Sequence, residues 1–213
     1  MKHMLILFSV VFILAFKIVA FAESYEKYFH GKIPKDNMRY NTFKIALKLL
    51  SEREAKTIVE TGTARAGAEW CLTDGGSTLI FGNWANDNGA TLYSIDIDKD
   101  ALLKAERALG AAVSYTRFVH SDSIQFLHKF DQSIDFLYLD SFDFEIGNPI
   151  SSQKHHLEEI MAAYPLLTEN SIVMIDDCDL PHGGKGKFAI IFLQRMGWKI
   201  MAEGYQVILV KDH

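Results

Sequence analysis

The chain is poor in cysteine and proline. Of its 213 residues two are Cys and four are Pro. Two cysteines, Cys71 and Cys178, exclude a scaffold stapled by several disulfides. So few prolines leave long stretches free for regular structure. Basic charge is also short: 22 Lys and Arg stand against 27 Asp and Glu, a net charge of −5. With no basic excess to attract phosphates, the expected partners include no nucleic acid. A hydrophobic fraction of 49% and a charged fraction of 23% exclude a disordered chain, a collagen-like repeat and a multi-span membrane protein. Beyond residue 22 there is no repeat, low-complexity tract or Pro/Gly/Ser-rich linker, so one domain is expected.

One apolar run is present, at the N-terminus. Residues 4–16 (MLILFSVVFILAF) carry no charge, and IVAFA follows Lys17. Lys2 and His3 precede the run, and Ala20-Phe21-Ala22 supplies small residues at a cleavage site before Glu23. That is the layout of a secretory signal peptide over residues 1–22. Two other readings stay open. An uncleaved anchor through residues 4–22 would attach the chain to a membrane, and Lys27, Lys32, Lys35 and Arg39 after it would hold the domain in the cytoplasm. A later start such as Met38 would give a cytoplasmic protein without residues 1–37. The expected location is therefore export or membrane anchoring through the N-terminus, unless residues 1–37 are not translated. Residues 23–40 read as a polar, aromatic surface segment and 41–213 as the domain.

The domain has a rhythm. A helix is expected over 41–54, with Asn41 as its cap and Phe43, Ile45, Ala46, Leu49 and Leu50 at helical spacing. Short apolar runs then follow at 57–61, 91–97, 113–119, 134–140 and 171–176, separated by helical patterns at 77–86, 99–109, 121–130, 152–167 and 185–196. Apolar strands alternating with helices imply βαβ units and a parallel sheet covered on both faces. Residues 198–202 and 205–210 are joined by Glu203-Gly204 alone. Two residues are too few for a parallel crossover, so the chain closes in an antiparallel hairpin.

In open α/β sheets ligands sit beyond the carboxyl ends of the strands, and polar residues gather there. The first strand ends in Glu60-Thr61-Gly62, where glycine lets the backbone approach a ligand. The second ends at Asp96, placed to accept hydrogen bonds from a ribose diol, with Asp98 suited to cap the next helix. The third runs into Ser121-Asp122-Ser123, which reads as a helix cap or as an adenine contact. Gly76-Ser77-Thr78 reads as the start of the helix after the first strand.

Glu60-x-Gly62, Asp96 and Asp122 after successive strands, with a closing hairpin, resemble the class I S-adenosylmethionine-dependent methyltransferases over residues 41–213. The resemblance implies a Rossmann-like α/β fold, a seven-stranded mostly parallel sheet in the order 3-2-1-4-5-7-6 with its C-terminal antiparallel hairpin. It also implies S-adenosylmethionine bound by Glu60, Gly62, Gly76, Ser77, Asp96, Asp122 and Asp140. The sequence departs from the family in the first loop, where about a dozen extra residues separate Gly62 from Gly76, so either Gly67 or Gly76 plays the second glycine.

Asp140 ends the fourth strand and Asp176-Asp177 end the fifth. Three carboxylates at one mouth repel one another unless a cation or proton intervenes, and carboxylate oxygens suit Mg²⁺ or Mn²⁺. The pattern is similar to the metal-dependent O-methyltransferases of the catechol and caffeoyl-CoA type, with Asp177 in place of Asn. Asp143 stands where those enzymes carry a lysine. The alternative is that one Asp caps a loop and another touches the cofactor.

Loop 141–154 leads to His155-His156, either of which is a candidate general base. Pro181-His182-Gly183-Gly184-Lys185-Gly186-Lys187 reads as a solvated flexible loop or as a mobile lid whose lysines meet an anionic substrate, with Lys185 a candidate catalytic residue. The expected activity is methyl transfer to an oxygen of a small-molecule acceptor. The competing reading is a non-catalytic or nucleotide-cofactor-binding Rossmann-like protein. A signal peptide would favour the non-catalytic form, while the closing hairpin and the lack of GxGxxG after the first strand argue against a nicotinamide enzyme.

Overall fold

A computed structural model of the chain describes residues 25–69, 71 and 76–211. The leader-like segment 1–22 lies outside the described residues. Among the described residues no helix is long and apolar enough to cross a membrane.

Seven strands form one sheet: β1 (Thr57–Thr61), β2 (Thr91–Asp96), β3 (Thr116–His120), β4 (Ile134–Leu139), β5 (Leu167–Ile175), β6 (Trp198–Ala202) and β7 (Val207–Lys211). Their order is β3-β2-β1-β4-β5-β7-β6. The first five pair in parallel. β7 runs antiparallel between β5 and β6. The helices are α1 (Tyr40–Glu52), α2 (Ser77–Asn88), α3 (Lys99–Leu109), α4 (Ser123–Lys129), α5 (Pro149–Ala163) and α6 (Lys187–Arg195).

The period-2 alternation of the strands sorts side chains into two cores. On β4, Phe136 and Tyr138 join Phe43 of α1 and Phe81 of α2 on one face. Leu137 and Leu139 join Leu127, Ile160 and Leu193 of α4, α5 and α6 on the other. Both faces are covered, which is why the central strands read as continuous apolar runs.

Several expectations are corrected. Residues 25–40 are only in part a surface segment: Lys27, Lys35 and Met38 are exposed, but Tyr25, Tyr28, Phe29 and Ile33 are buried in the core with α1. Residues 25–29 are helical, so Tyr25, Tyr28 and Phe29 at i, i+3 and i+4 face the same side. α1 begins at Tyr40 behind Arg39, without a side-chain cap, so Asn41 is not its cap. β3 starts at Thr116, because residues 110–115 form a 3₁₀ turn. The hairpin connection spans residues 203–206, since Tyr205 and Gln206 turn inward. Gln206 accepts a hydrogen bond from Thr42 Oγ1 and donates to the Tyr138 hydroxyl.

Candidate active site at the carboxyl edge of the sheet

The strand ends of β1, β2 and β4 are tied together by backbone. Gly62 donates to the Ile95 carbonyl at 2.8 Å, and Asp140 donates to the Thr61 carbonyl at 2.9 Å. Gly62 has φ +86°, and a Cβ there would sit 2.5 Å from the Asp140 carbonyl oxygen, so the crossing of these two strand ends requires glycine. Along this edge run two adjoining cavities. The first, about 230 Å³, is lined among others by Gly62, Gly67, Gly76, Ser77, Asp96 and Asp140. The second, about 300 Å³, is lined by Asp96, Ile97, Asp122, Ser123, Phe142 and His155 among others. Gly62, Asp96, Ile97 and Ser141 line both.

Asp96 stands where the two cavities meet. Its Oδ2 accepts the Thr63 amide at 3.1 Å and its Oδ1 the Asp98 amide at 2.8 Å. These bonds aim the carboxylate and leave lone pairs for a diol. Burial pushes its pKa up, against the pull of the two amides. Asp122 both caps α4, accepting the Gln125 amide at 2.9 Å, and lines the second cavity. Asp98 is the cap of α3, as expected.

Glu60 is not a cavity residue. It is fully buried beneath the first cavity, where it accepts hydrogen bonds from the hydroxyls of Ser77, Thr78 and Ser94. The alternation of β1 turns it toward the first turn of α2. Burial pushes its pKa up to about 7, although the three hydroxyls work the other way. It fastens α2 to β1 and β2 and so places Gly76 and Ser77. Gly76 precedes α2 in the left-handed region, φ +53°, and both Gly67 and Gly76 reach the cavity.

The candidate bases are scattered. His155 lies in the second cavity, beside Asp122, with Nε2 3.3 Å from Ser123 Oγ and 3.5 Å from Glu159. His156 is fully buried, and its Nδ1 lies 2.8 Å from the Ser152 carbonyl. Neither stands at the Asp140 mouth. Both sit inside α5 rather than at its start, because Pro149 opens that helix earlier than expected. Glu159, also buried, accepts from Ser141 Oγ at 2.7 Å.

Asp140, Asp176 and Asp177 do converge, with carboxylate oxygens within 4.8 Å of one another. The positive charge among them comes from the chain itself. Lys185 Nζ lies 2.7 Å from Asp140 Oδ1 and 2.9 Å from Asp177 Oδ2. Arg39 Nη2 lies 3.0 Å from Asp176 Oδ2 and 3.3 Å from Asp177 Oδ1, and its guanidinium stacks 4.3 Å from the Tyr205 ring centre. An ammonium holding two of the required oxygens stands where a divalent ion such as Mg²⁺, at about 2.0–2.1 Å from its ligands, would have to sit. The three aspartates with these partners do not fit the expected metal. Lys185 is correspondingly no free catalytic cation, since its side chain is 2% exposed. Residues 181–186 are not a loose lid either. Gly184, at φ +55°, passes so close to the Asp177 carbonyl that a Cβ would collide with it, and the Lys185 amide donates to that same carbonyl.

Arg39, Glu159 and Tyr205 were missed by sequence reasoning. Arg39 and Tyr205 are distant in the chain from the aspartates they meet, and a lone Arg before a helix carries no motif. Glu159, one turn from His155, reads as an ordinary helix residue.

A family model described as a methyltransferase domain matches residues 72–178, from before α2 to just past β5. The chain belongs to the class I S-adenosylmethionine-dependent methyltransferases. No curated protein sequence matches it. Among solved structures, the methyltransferase shares its fold with NSun6 of Pyrococcus horikoshii, at 16% identity and a TM-score of 0.59. That match covers 78% of this chain and 50% of the other, so the methyltransferase spans about half the length of that relative. An rRNA methylase of Streptococcus thermophilus matches at 12% identity and a TM-score of 0.52, covering 80% of this chain and 96% of that one. PaMTH1 of Podospora anserina, solved bound to SAH, matches at 13% identity and a TM-score of 0.57, covering 91% and 88%. The exclusion of nucleic acid from the partners is corrected by the likeness to the rRNA methylase. Net charge averages over a whole surface, whereas phosphate contacts are local.

Proposed function

We propose that this methyltransferase holds S-adenosylmethionine along the ends of β1, β2 and β3 and serves a hydroxyl oxygen of a small acceptor entering beside Asp140 and the loop 141–148. The observation that carries the reading is the pair of cavities meeting at Asp96 and Gly62. The residues present suit the group: a carboxylate with free lone pairs at the junction, left-handed glycines beneath it, and Asp122, Ser123 and Phe142 at the far end. When bound, the cofactor supplies an electrophilic methyl group. Asp96 would take the ribose hydroxyls, and Ile97 and Phe142 would cover the base.

A hydroxyl that gains a methyl group must lose its proton. Asp140 is the group suited to receive it. It lines the first cavity at the mouth, and only its Oδ1 is bonded to Lys185, leaving Oδ2 for the acceptor. Burial pushes the Asp140 carboxyl well above the ordinary range; Lys185 pulls it back, and Asp176 and Asp177 push it up again. A carboxylate raised in this way is a better base than one in water.

A second reading, an RNA acceptor, is favoured by the likeness to the rRNA methylase. The test is transfer of a radiolabelled methyl group from S-adenosylmethionine, offered a panel of small hydroxylated compounds in one arm and total RNA in the other. Label in small molecules that is lost in Asp140→Asn supports the proposal. Label in RNA alone replaces it with the second reading.

A further inference from the structure

The acidic mouth is balanced by two side chains that approach from opposite ends of the sequence. Asp140 follows β4, and Asp176-Asp177 follow β5. Register pairs Leu139 with Ile175, so the next residues of both strands lie side by side. Their mutual repulsion in a buried place demands positive charge. Lys185 comes from the segment after β5, bent back by Gly184 and by Asp177, itself at φ +52°. Arg39 comes from the residue before α1. Its Nε lies 3.2 Å from both Asp176 oxygens, and its Nη2 reaches Asp177. The two cations bring the same charge as one divalent ion and leave the cluster with the same single negative charge. Lys185 Nζ also takes the bridging place, between an oxygen of Asp140 and one of Asp177.

Burial works against the ammonium, yet Asp140, Asp177 and Asp176 outweigh it and hold Lys185 charged. Asp177 is likewise pushed up by burial but held below the ordinary carboxylate range, first by Lys185. The arrangement is a closed ion network rather than a ligand set waiting for a metal. We propose that Lys185, with Arg39, stands in place of the divalent cation, and that Lys185 is the residue that keeps metal out of a mouth whose carboxylates would otherwise bind it.

The experiment uses Mn²⁺ as the probe on the full chain, followed by electron paramagnetic resonance and by melting temperature with Mn²⁺, Mg²⁺ and EDTA. The wild type should show no Mn²⁺ site tighter than about 1 mM and a melting temperature indifferent to all three. Lys185→Met removes the ammonium and keeps most of the stem; it should acquire a Mn²⁺ site at least about tenfold tighter than any in the wild type, abolished by adding Asp177→Asn. Lys185→Arg keeps the charge and should stay metal-indifferent. Stoichiometric Mn²⁺ binding to the wild type overturns the proposal, and that measurement decides the question even if Lys185→Met does not fold. A folded Lys185→Met that gains no Mn²⁺ site overturns it as well. Neither readout involves the acceptor, so failure here leaves the reading of Asp140 as proton acceptor to its own test.

Discussion

Asp96 and Glu60 show how two carboxylates on neighbouring strands take opposite roles. Asp96 is aimed by two backbone amides and open to the cavity, so Asp96→Ala should weaken S-adenosylhomocysteine binding by about 1.5–3 kcal/mol without unfolding the protein. Calorimetry on the folded variant checks this, and unchanged affinity would remove Asp96 from the site. Glu60 is sealed under α2, and its ordinary value of 4.5 is raised to about 7. A group raised on folding stabilises fully below its unfolded value, and that contribution is lost as pH rises through the folded value. Glu60 therefore costs stability between about pH 4.5 and 7. Glu60→Gln, which keeps the shape and removes the charge, should flatten this slope and stabilise the protein above pH 7 by up to about 3 kcal/mol. Denaturant titrations of both proteins at pH 5 and pH 8 would show it, and equal slopes with pH would count against a raised Glu60.

At the scale of elements, the site is made where strand ends cross and turn. Gly62→Ala places a Cβ 2.5 Å from the Asp140 carbonyl oxygen in a backbone region that side chains avoid. It should cost about 1–3 kcal/mol, a fall of several degrees in melting temperature for a domain of this size, together with loss of cofactor affinity because β1 and β4 are pushed apart. A melting temperature unchanged from wild type would show that the crossing relaxes freely. The segment before α1 is an element of the site as well, since it delivers Arg39. Arg39→Met leaves Asp176, 1% exposed, without its forked partner. It should destabilise by about 3–5 kcal/mol, read as a lowered denaturant midpoint.

For the whole molecule, titrating groups on both sides of the sheet bound the working range. Burial opposes the charge of Glu159, but His155 and His156 hold it at about 2, below its ordinary 4.5. A lowered acid stabilises above its unfolded value and stops doing so as pH falls toward the folded one. His155 is opposed by burial and raised by Glu159, so its contribution is complete below about 6.5 and fades as pH climbs through the folded value. Glu60 acts in the same direction, whereas His156, lowered by burial, stabilises above about 6.5 and loses that contribution as pH falls. Melting temperature should therefore be highest between about pH 5 and 6.5 and fall on both sides. A plateau extending above pH 8 would contradict these assignments.

The strands and most helices were legible in the sequence, because burial on two faces writes itself as apolar runs and helix burial as a 3.6-residue period. The hairpin was legible from the shortness of its link, and the strand order followed from the family resemblance that Glu60, Gly62, Asp96 and Asp122 carried. Convergence of Asp140, Asp176 and Asp177 was legible too, since ends of neighbouring parallel strands must meet. What occupies the space between them was legible only in part: Lys185 was expected at the site, but not as an ammonium seated between Asp140 and Asp177. Arg39 is 137 residues from Asp176, Lys185 is 45 residues from Asp140, and no local pattern marks either as a partner. Glu60 looked like a ligand because its position matched a motif, and only the packing of α2 decided that its oxygens face Ser77, Thr78 and Ser94. Periodicity records which face of an element is buried. Which charge meets which depends on backbone turns such as Gly184, and that is decided only when distant segments close on one another.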